Sequence, residues 1–291
     1  MVAMLWKLLL GSHEGPEIKG DRDIHPLRQL LLERIRSHDD SVVLATLGIV
    51  GAMIEVHDEE LTDNLFLRNI PVRALSKFQT TWNSKSSIAT LRQLASSVEE
   101  QTPQVAEDRD FLLRLHDAQL AVFQVFQQTD HWKYETQQER DPPFEGSLLQ
   151  QLLLRMEGML DNSEIVNFSL TETFLKIIRL PHPAIYPYFL NAKQGYPSSV
   201  GTLPKALQLV SAKILRQREK VQAYAPKLLT VRQQNRQPDH LSKYYSSDGG
   251  ILPEERRLLN NVVVFEEFCH ELAALAHAKT VQLALFVTET S

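Results

Sequence analysis

The chain has 291 residues, 43% of them hydrophobic and 23% charged, with a formal net charge of -5. That length and apolar content suffice for one large or two ordinary domains with a sizeable core, which excludes a wholly disordered chain. The slight negative balance carries no electrostatic footprint for nucleic acid. The one cysteine, Cys269, excludes an internal disulfide and fits a reducing, cytoplasmic setting.

Residues 1–25 read as an N-terminal tail with a short apolar segment. Its opening MVAMLWKLLL has Lys7 inside the apolar part and no basic lead, so it is expected neither to serve as a signal peptide nor to span a bilayer. From Pro26 helical periodicity takes over. Leu27, Leu30, Leu31 and Ile35 follow at helical steps; after the polar turn His38 to Ser41, Val43, Leu47, Val50 and Ile54 line a second helix. Leu61, Leu65 and Leu67 predict a third helix ended by Pro71. Ile88 to Val98 and Val105 to Phe126 predict two more, completing a helical subdomain over 26–126.

Between Gln127 and Ser147 no apolar period survives and Pro142, Pro143 and Gly146 intervene, so 127–147 is expected to be a mobile loop and a subdomain boundary. A second helical subdomain, 148–291, follows. Its first helix carries Leu149, Leu152, Leu153, Met156, Met159 and Leu160 on one stripe. Ser163 is the expected N-cap of the next, which buries Val166, Leu170, Phe174 and Ile177 and stops at Pro181 and Pro183. Tyr186, Tyr188 and Phe189 then read as residues sealing the end of a helical pair. A loop is expected at 237–252, after which Pro253 opens a last long helix. Strand patterns are missing, and short turns between apolar helices predict an all-α fold, an armadillo/HEAT-like α-solenoid of stacked helical pairs.

No phosphate-binding motif occurs, and no cofactor is expected. FEEFCHELAALAH places Glu266, Glu267, Cys269, His270, Glu271 and His277 together. His270 and His277 are seven residues apart, about 10.5 Å along a helix, too far to share one metal as a zincin pair does. Adjacent Cys269 and His270 point about 100° apart, which disfavours a thiolate-imidazole pair. Phe265, Phe268, Leu272 and Ala276 are instead expected to face the core with Cys269 as a small buried hydrophobe. Asp58, Glu59, Glu60 and Asp63 lack the glycine-bearing loop of a calcium site and read as a solvated helix start.

Thr202 to Arg236 contains Lys205, Lys213, Arg216, Arg218, Lys220, Lys227, Arg232 and Arg236 against one acid, Glu219. At about 100° per residue, Lys205, Lys213, Arg216 and Lys220 share an arc beside the apolar stripe Leu203, Leu207, Val210, Ile214 and Val221. These four form the candidate basic face for an acidic protein or an anionic membrane; the alternative is a solvated face paired with the chain's own acids.

Three blocks carry a family resemblance: EGMLDNSEIVNFSLTETFLKIIRLPHPAIYPYFLN (157–191), IRSHDDSVVLATLGIVGAMIEVHDEELTDNLFLRNIP (35–71) and FEEFCHELAALAHAK (265–279). They resemble the FHIP proteins, the Hook-interacting subunits of the FTS-Hook-FHIP complex, also described as retinoic-acid-induced-16-like. The resemblance falls on the later, helical part of those longer proteins. It implies a non-catalytic adaptor that joins Hook proteins, and through them dynein, to early endosomes by way of FTS and an early-endosomal Rab GTPase. It supplies no partner motif to carry over residue by residue. The residues alone leave two alternatives: a generic helical scaffold in another trafficking or ubiquitin-linked assembly, and an all-α enzyme using Glu266, Cys269 or His270.

Overall fold

The computed structural model describes residues 25–70, 84–98, 104–133, 144–191, 196–235 and 250–289. The expected tail and most of the expected 237–252 loop lie outside these. Among the described residues the fold is all-α, with eleven α-helices, one 3-10 turn and no strand.

Helix α1 (Pro26–Ile35) starts on its proline, whose missing N–H costs nothing at a helix start. Helix α2 (Asp40–Glu55) is capped by Asp39, which accepts from Ser41 N at 2.9 Å. Helix α3 (Glu59–Leu65) is capped by Asp58, which accepts from Leu61 N at 2.8 Å, and runs into the 3-10 turn Leu67–Asn69. Buried Arg28 closes the far end of α3 by donating to the carbonyls of Asn64 and Leu65 at 2.8 and 3.0 Å. Then come α4 (Ser84–Val98) and α5 (Gln104–Gln128).

The expected loop is only partly a loop. α5 continues through Gln128, Trp132 is buried with its indole donating to His57 O at 3.1 Å, and Glu145 is buried as well. Residues 134–143 lie outside the described part. The helical stretches on either side share one hydrophobic core.

Beyond it lie α6 (Ser147–Glu157), α7 (Glu164–Arg179), α8 (Ile185–Leu190), α9 (Leu203–Arg218), α10 (Tyr224–Asn235) and α11 (Pro253–Glu289). Every residue expected on the α6 and α7 stripes is buried, although α6 ends at Glu157 and Met159 and Leu160 lie in the turn beyond it. Ser163 does sit at the N-cap of α7, but its side chain makes no capping bond. Tyr186, Tyr188 and Phe189 seal the turn after α7, with the Tyr186 and Tyr188 hydroxyls donating to Ala276 O and Gly201 O at 2.9 and 2.6 Å.

The packing joins elements far apart in sequence. α1 and α2 lie together, α1 against α6 and α2 against α7; α6 packs on α9, and α7 on α11. α4 closes the far side against both α9 and α11. Helix α11, 37 residues and roughly 55 Å long, touches α4, α5, α7, α8 and α10.

Polar clips at both ends hold α11 alongside α7. At one end Asn162, Asn167 and Asn261 are buried in mutual contact. Asn162 Nδ2 donates to Asn167 Oδ1 at 2.9 Å and Asn167 Nδ2 to Asn261 Oδ1 at 2.9 Å, while Asn261 Nδ2 returns to Asn162 O at 3.0 Å. At the other end the buried ammonium of Lys279 donates to the carbonyls of Arg179 and Leu180, the last of α7. Asn167 meets Asn261 near the start of α7 and Lys279 meets its end, so the two helices run parallel.

Breaking the circuit strands buried amide groups, each costing about 1–3 kcal/mol. We expect Asn167→Ala to lose about 2–4 kcal/mol, read as a lower urea midpoint at unchanged slope. A loss below about 0.5 kcal/mol contradicts the role given to the circuit.

Candidate functional site

The basic face sits on α9, whose Thr202 N-cap accepts from Lys205 N at 3.4 Å and whose buried stripe is Leu203, Leu207, Val210 and Ile214. Two of its four residues already have structural work. Lys205 Nζ donates to Pro197 O and Val200 O, both at 2.9 Å, and Lys213 Nζ to Glu157 O at 2.6 Å, closing the end of α6. Arg216 and Lys220 are exposed, and their side chains make no hydrogen bond or ion pair to the described residues. The helix ends at Arg218, so Lys220 does not continue the arc that helical spacing projects; its N–H closes a turn onto Gln217 O at 3.0 Å.

The other basic residues of this stretch are largely matched within the fold. Lys227 pairs with Glu255 at 2.6 Å, Arg232 grips Glu266 through Nη2 at 2.6 Å and Nε at 3.1 Å, and Arg218 lies over the Tyr224 ring. Arg236 lies outside the described residues. What remains open to a partner is narrower than the sequence count implies: Arg216 and Lys220.

The Cys269 cluster is divided among different neighbours. Phe265, Phe268, Leu272 and Ala276 are buried as expected, and so is Cys269. Burial, with the Glu266 carboxylate beside it, pushes the Cys269 thiol far up, away from the reactive thiolate. Glu266 turns to Arg232 on α10, while Glu267 and Glu271 turn to the opposite side and hold Arg114 of α5, the latter at 2.8 Å. His277 stacks on Phe111, ring centroids 6.4 Å apart. These side chains converge on no common point. Among the described residues no group of three His, Cys, Asp or Glu side chains is placed to hold a metal ion, and no helix is long and apolar enough to cross a membrane. Asp58 and Glu59 cap and brace α3, Glu59 accepting from Lys133 N at 3.0 Å.

Lys279 is the unusual ionisable group that the sequence reading missed. Burial lowers its ammonium to about 7, and the same burial, with the Lys279 charge beside it, holds His182 near about 4. The available signal was position: Lys279 falls three residues after Ala276 on the core stripe of α11, where an apolar residue belongs.

A family of unknown function (DUF5917) matches residues 145–237, from just before α6 to the end of α10, and the KELAA motif matches residues 253–281, most of α11. The second stretch contains His270-Glu271-Leu272-Ala273-Ala274, of which Glu271 holds Arg114 and the last three are buried. The two matched stretches meet physically at the Asn167–Asn261 contact.

Two outcomes follow from these environments. With a folded value near 7 against an ordinary 10.5, Lys279 is neutral in the folded chain but protonated in the unfolded one between those pH values, so this group makes stability rise with pH across that window. The urea midpoint of the native chain should therefore gain on that of Lys279→Met from pH 7 to 10, at most about 1.4 kcal/mol per pH unit. A constant difference refutes the lowered titration of Lys279 in the folded chain. Cys269, in turn, should react with a thiol-specific disulfide reagent only after denaturation; stoichiometric reaction within seconds in the folded chain contradicts its burial.

Proposed function

We propose that this chain is a non-catalytic scaffold, an armadillo/HEAT-like stack of helical pairs that works by binding. It would act as the adaptor subunit of an FTS-Hook-FHIP-like complex linking early endosomes to dynein-based transport, cytoplasmic and peripheral to the membrane. The observation that carries the scaffold reading is the dispersal of the chemically capable residues of α11 into separate structural pairs, Glu266 with Arg232, Glu267 and Glu271 with Arg114, around an inert buried thiol. The three FHIP-like blocks support the particular partners, Hook and FTS proteins and an early-endosomal Rab GTPase. They map to the paired helices α2–α3, α7–α8 and α11. A generic trafficking scaffold remains the second reading, because Arg216 and Lys220 provide an exposed cationic contact suited to any acidic partner or anionic headgroup.

The test is quantitative pull-down of the tagged, folded chain from cytosol, with Hook and FTS proteins scored against a matched helical control. We expect their enrichment, unchanged by Cys269→Ala and weakened at low salt by Arg216→Glu with Lys220→Glu. Absence of both proteins contradicts the FHIP-like assignment, and loss of a specific turnover in a folded Cys269→Ala chain contradicts the non-catalytic one.

A further inference from the structure

Helix α5 has two apolar faces, and the fold uses one. On the inner face Ala118 and Val122 are buried, Phe111 meets His277, and Arg114 is tied to Glu267 and Glu271. On the outer face Leu112, Leu113, Leu120 and Phe123 are 63, 60, 49 and 56% exposed. With exposed His116 they fall within an arc of roughly 100° and run for about 17 Å, three helical turns. Single exposed leucines are ordinary on a protein surface; four large apolar residues on one continuous stripe are not.

The stripe has a charge border. Asp117 lies along one side of it, with 81% of its side chain exposed and 3.6 Å from His116. From Asp110 to Gln128 the sequence holds one Lys or Arg, Arg114, and two carboxylates already outweigh its charge. The outer face is therefore apolar with an acidic edge. Leu113, His116, Leu120 and Phe123 are spaced 3, 4 and 3 residues apart, the seam on which one helix receives another.

We propose that the outer face of α5 docks an amphipathic α-helix of a partner protein, one whose apolar side carries a Lys/Arg border. Charge complementarity selects this occupant. A second copy of the chain would set one acidic edge near another, and an anionic membrane would repel the edge. A single three-turn seam suits a micromolar, reversible contact rather than a permanent one. The proposal takes from the scaffold reading only that the chain acts by binding, so failure to recover Hook and FTS leaves it standing, and its own failure leaves that assignment untouched.

The test titrates the full chain into a fluorescently labelled 20-residue helical peptide of Leu and Lys, with leucines at the seam positions and lysines at the border, and into its Leu/Glu counterpart. Saturable micromolar binding of the Lys peptide is expected, at least tenfold tighter than the Glu peptide. Leu113→Glu with Leu120→Glu should weaken it tenfold or more at unchanged melting temperature, because both side chains are exposed, and Asp117→Lys should narrow the preference between peptides at least threefold. Several results overturn the proposal: no binding, equal binding of the two peptides, or indifference to the α5 substitutions. So do a dimer that Leu113→Glu with Leu120→Glu dissolves, and capture on phosphatidylserine vesicles that the same substitutions abolish.

Discussion

The circuit of amide hydrogen bonds through Asn162, Asn167 and Asn261 sets the register of α11, the helix against which α4, α5, α7, α8 and α10 pack. Apolar packing alone cannot do this. The buried surface of α11 includes Ala273, Ala274, Ala276 and Ala278, small side chains spread around the helix that set a register only weakly. Amide groups are directional, and a partly satisfied one in a dry interior costs more than the bond it makes, so a displaced register is penalised at once. Lys279 adds a second anchor eighteen residues further on, where its amino group donates to the carbonyls that close α7. With α11 fixed at two points, α4 and α5 have a rigid surface to pack on although they precede it by over a hundred residues.

Charge is handled by the same economy. The basic excess of residues 202–236 meets carbonyls at the ends of neighbouring segments through Lys205 and Lys213, and acids of α11 through Lys227 and Arg232. Arg232 and Glu266 form a bidentate pair with little water contact, a geometry that fixes orientation more than it adds net stability. On the opposite side of α11, Arg114 straddles two carboxylates one helical turn apart and leaves that flank acidic. The α10 flank of this helix is thus matched pair by pair, while the α5 flank keeps one carboxylate in excess.

Much of this was legible in the sequence because it rests on local rules. Stripes such as Leu149–Leu152–Met156 and Val166–Leu170–Phe174, the proline starts of α1 and α11, the polar turn before α2 and the acidic start of α3 are short-range signals. The expected burial of Phe265, Phe268, Leu272, Ala276 and Cys269 followed from the same periodicity. What sequence could not supply was long-range partnership. Trp132 sits in a polar, proline-bounded stretch and reads as loop, yet His57 O, 75 residues away, gives its indole a buried partner. Lys205 and Lys213 read as a free basic face because their partners are carbonyls, which no side-chain pattern reveals. The projection of Lys220 onto α9 failed for a different reason: a helical wheel assumes the helix continues, and this one ends at Arg218. Asn261 and Lys279 were visible as polar residues on the stripe 261, 265, 268, 272, 276, 279, an interruption that in hindsight marks both anchors.

An all-α fold whose strongest polar contacts are spent on internal register has its long helices fixed relative to one another. That account stands on α7 and α11 behaving as one unit. Native-state hydrogen exchange in rising urea measures it directly. The account predicts that amides of 166–178 and 259–278 open together at a single free energy; exchange of α11 at markedly lower free energy than α7 would show that the circuit does not hold the two helices as one, and would contradict it.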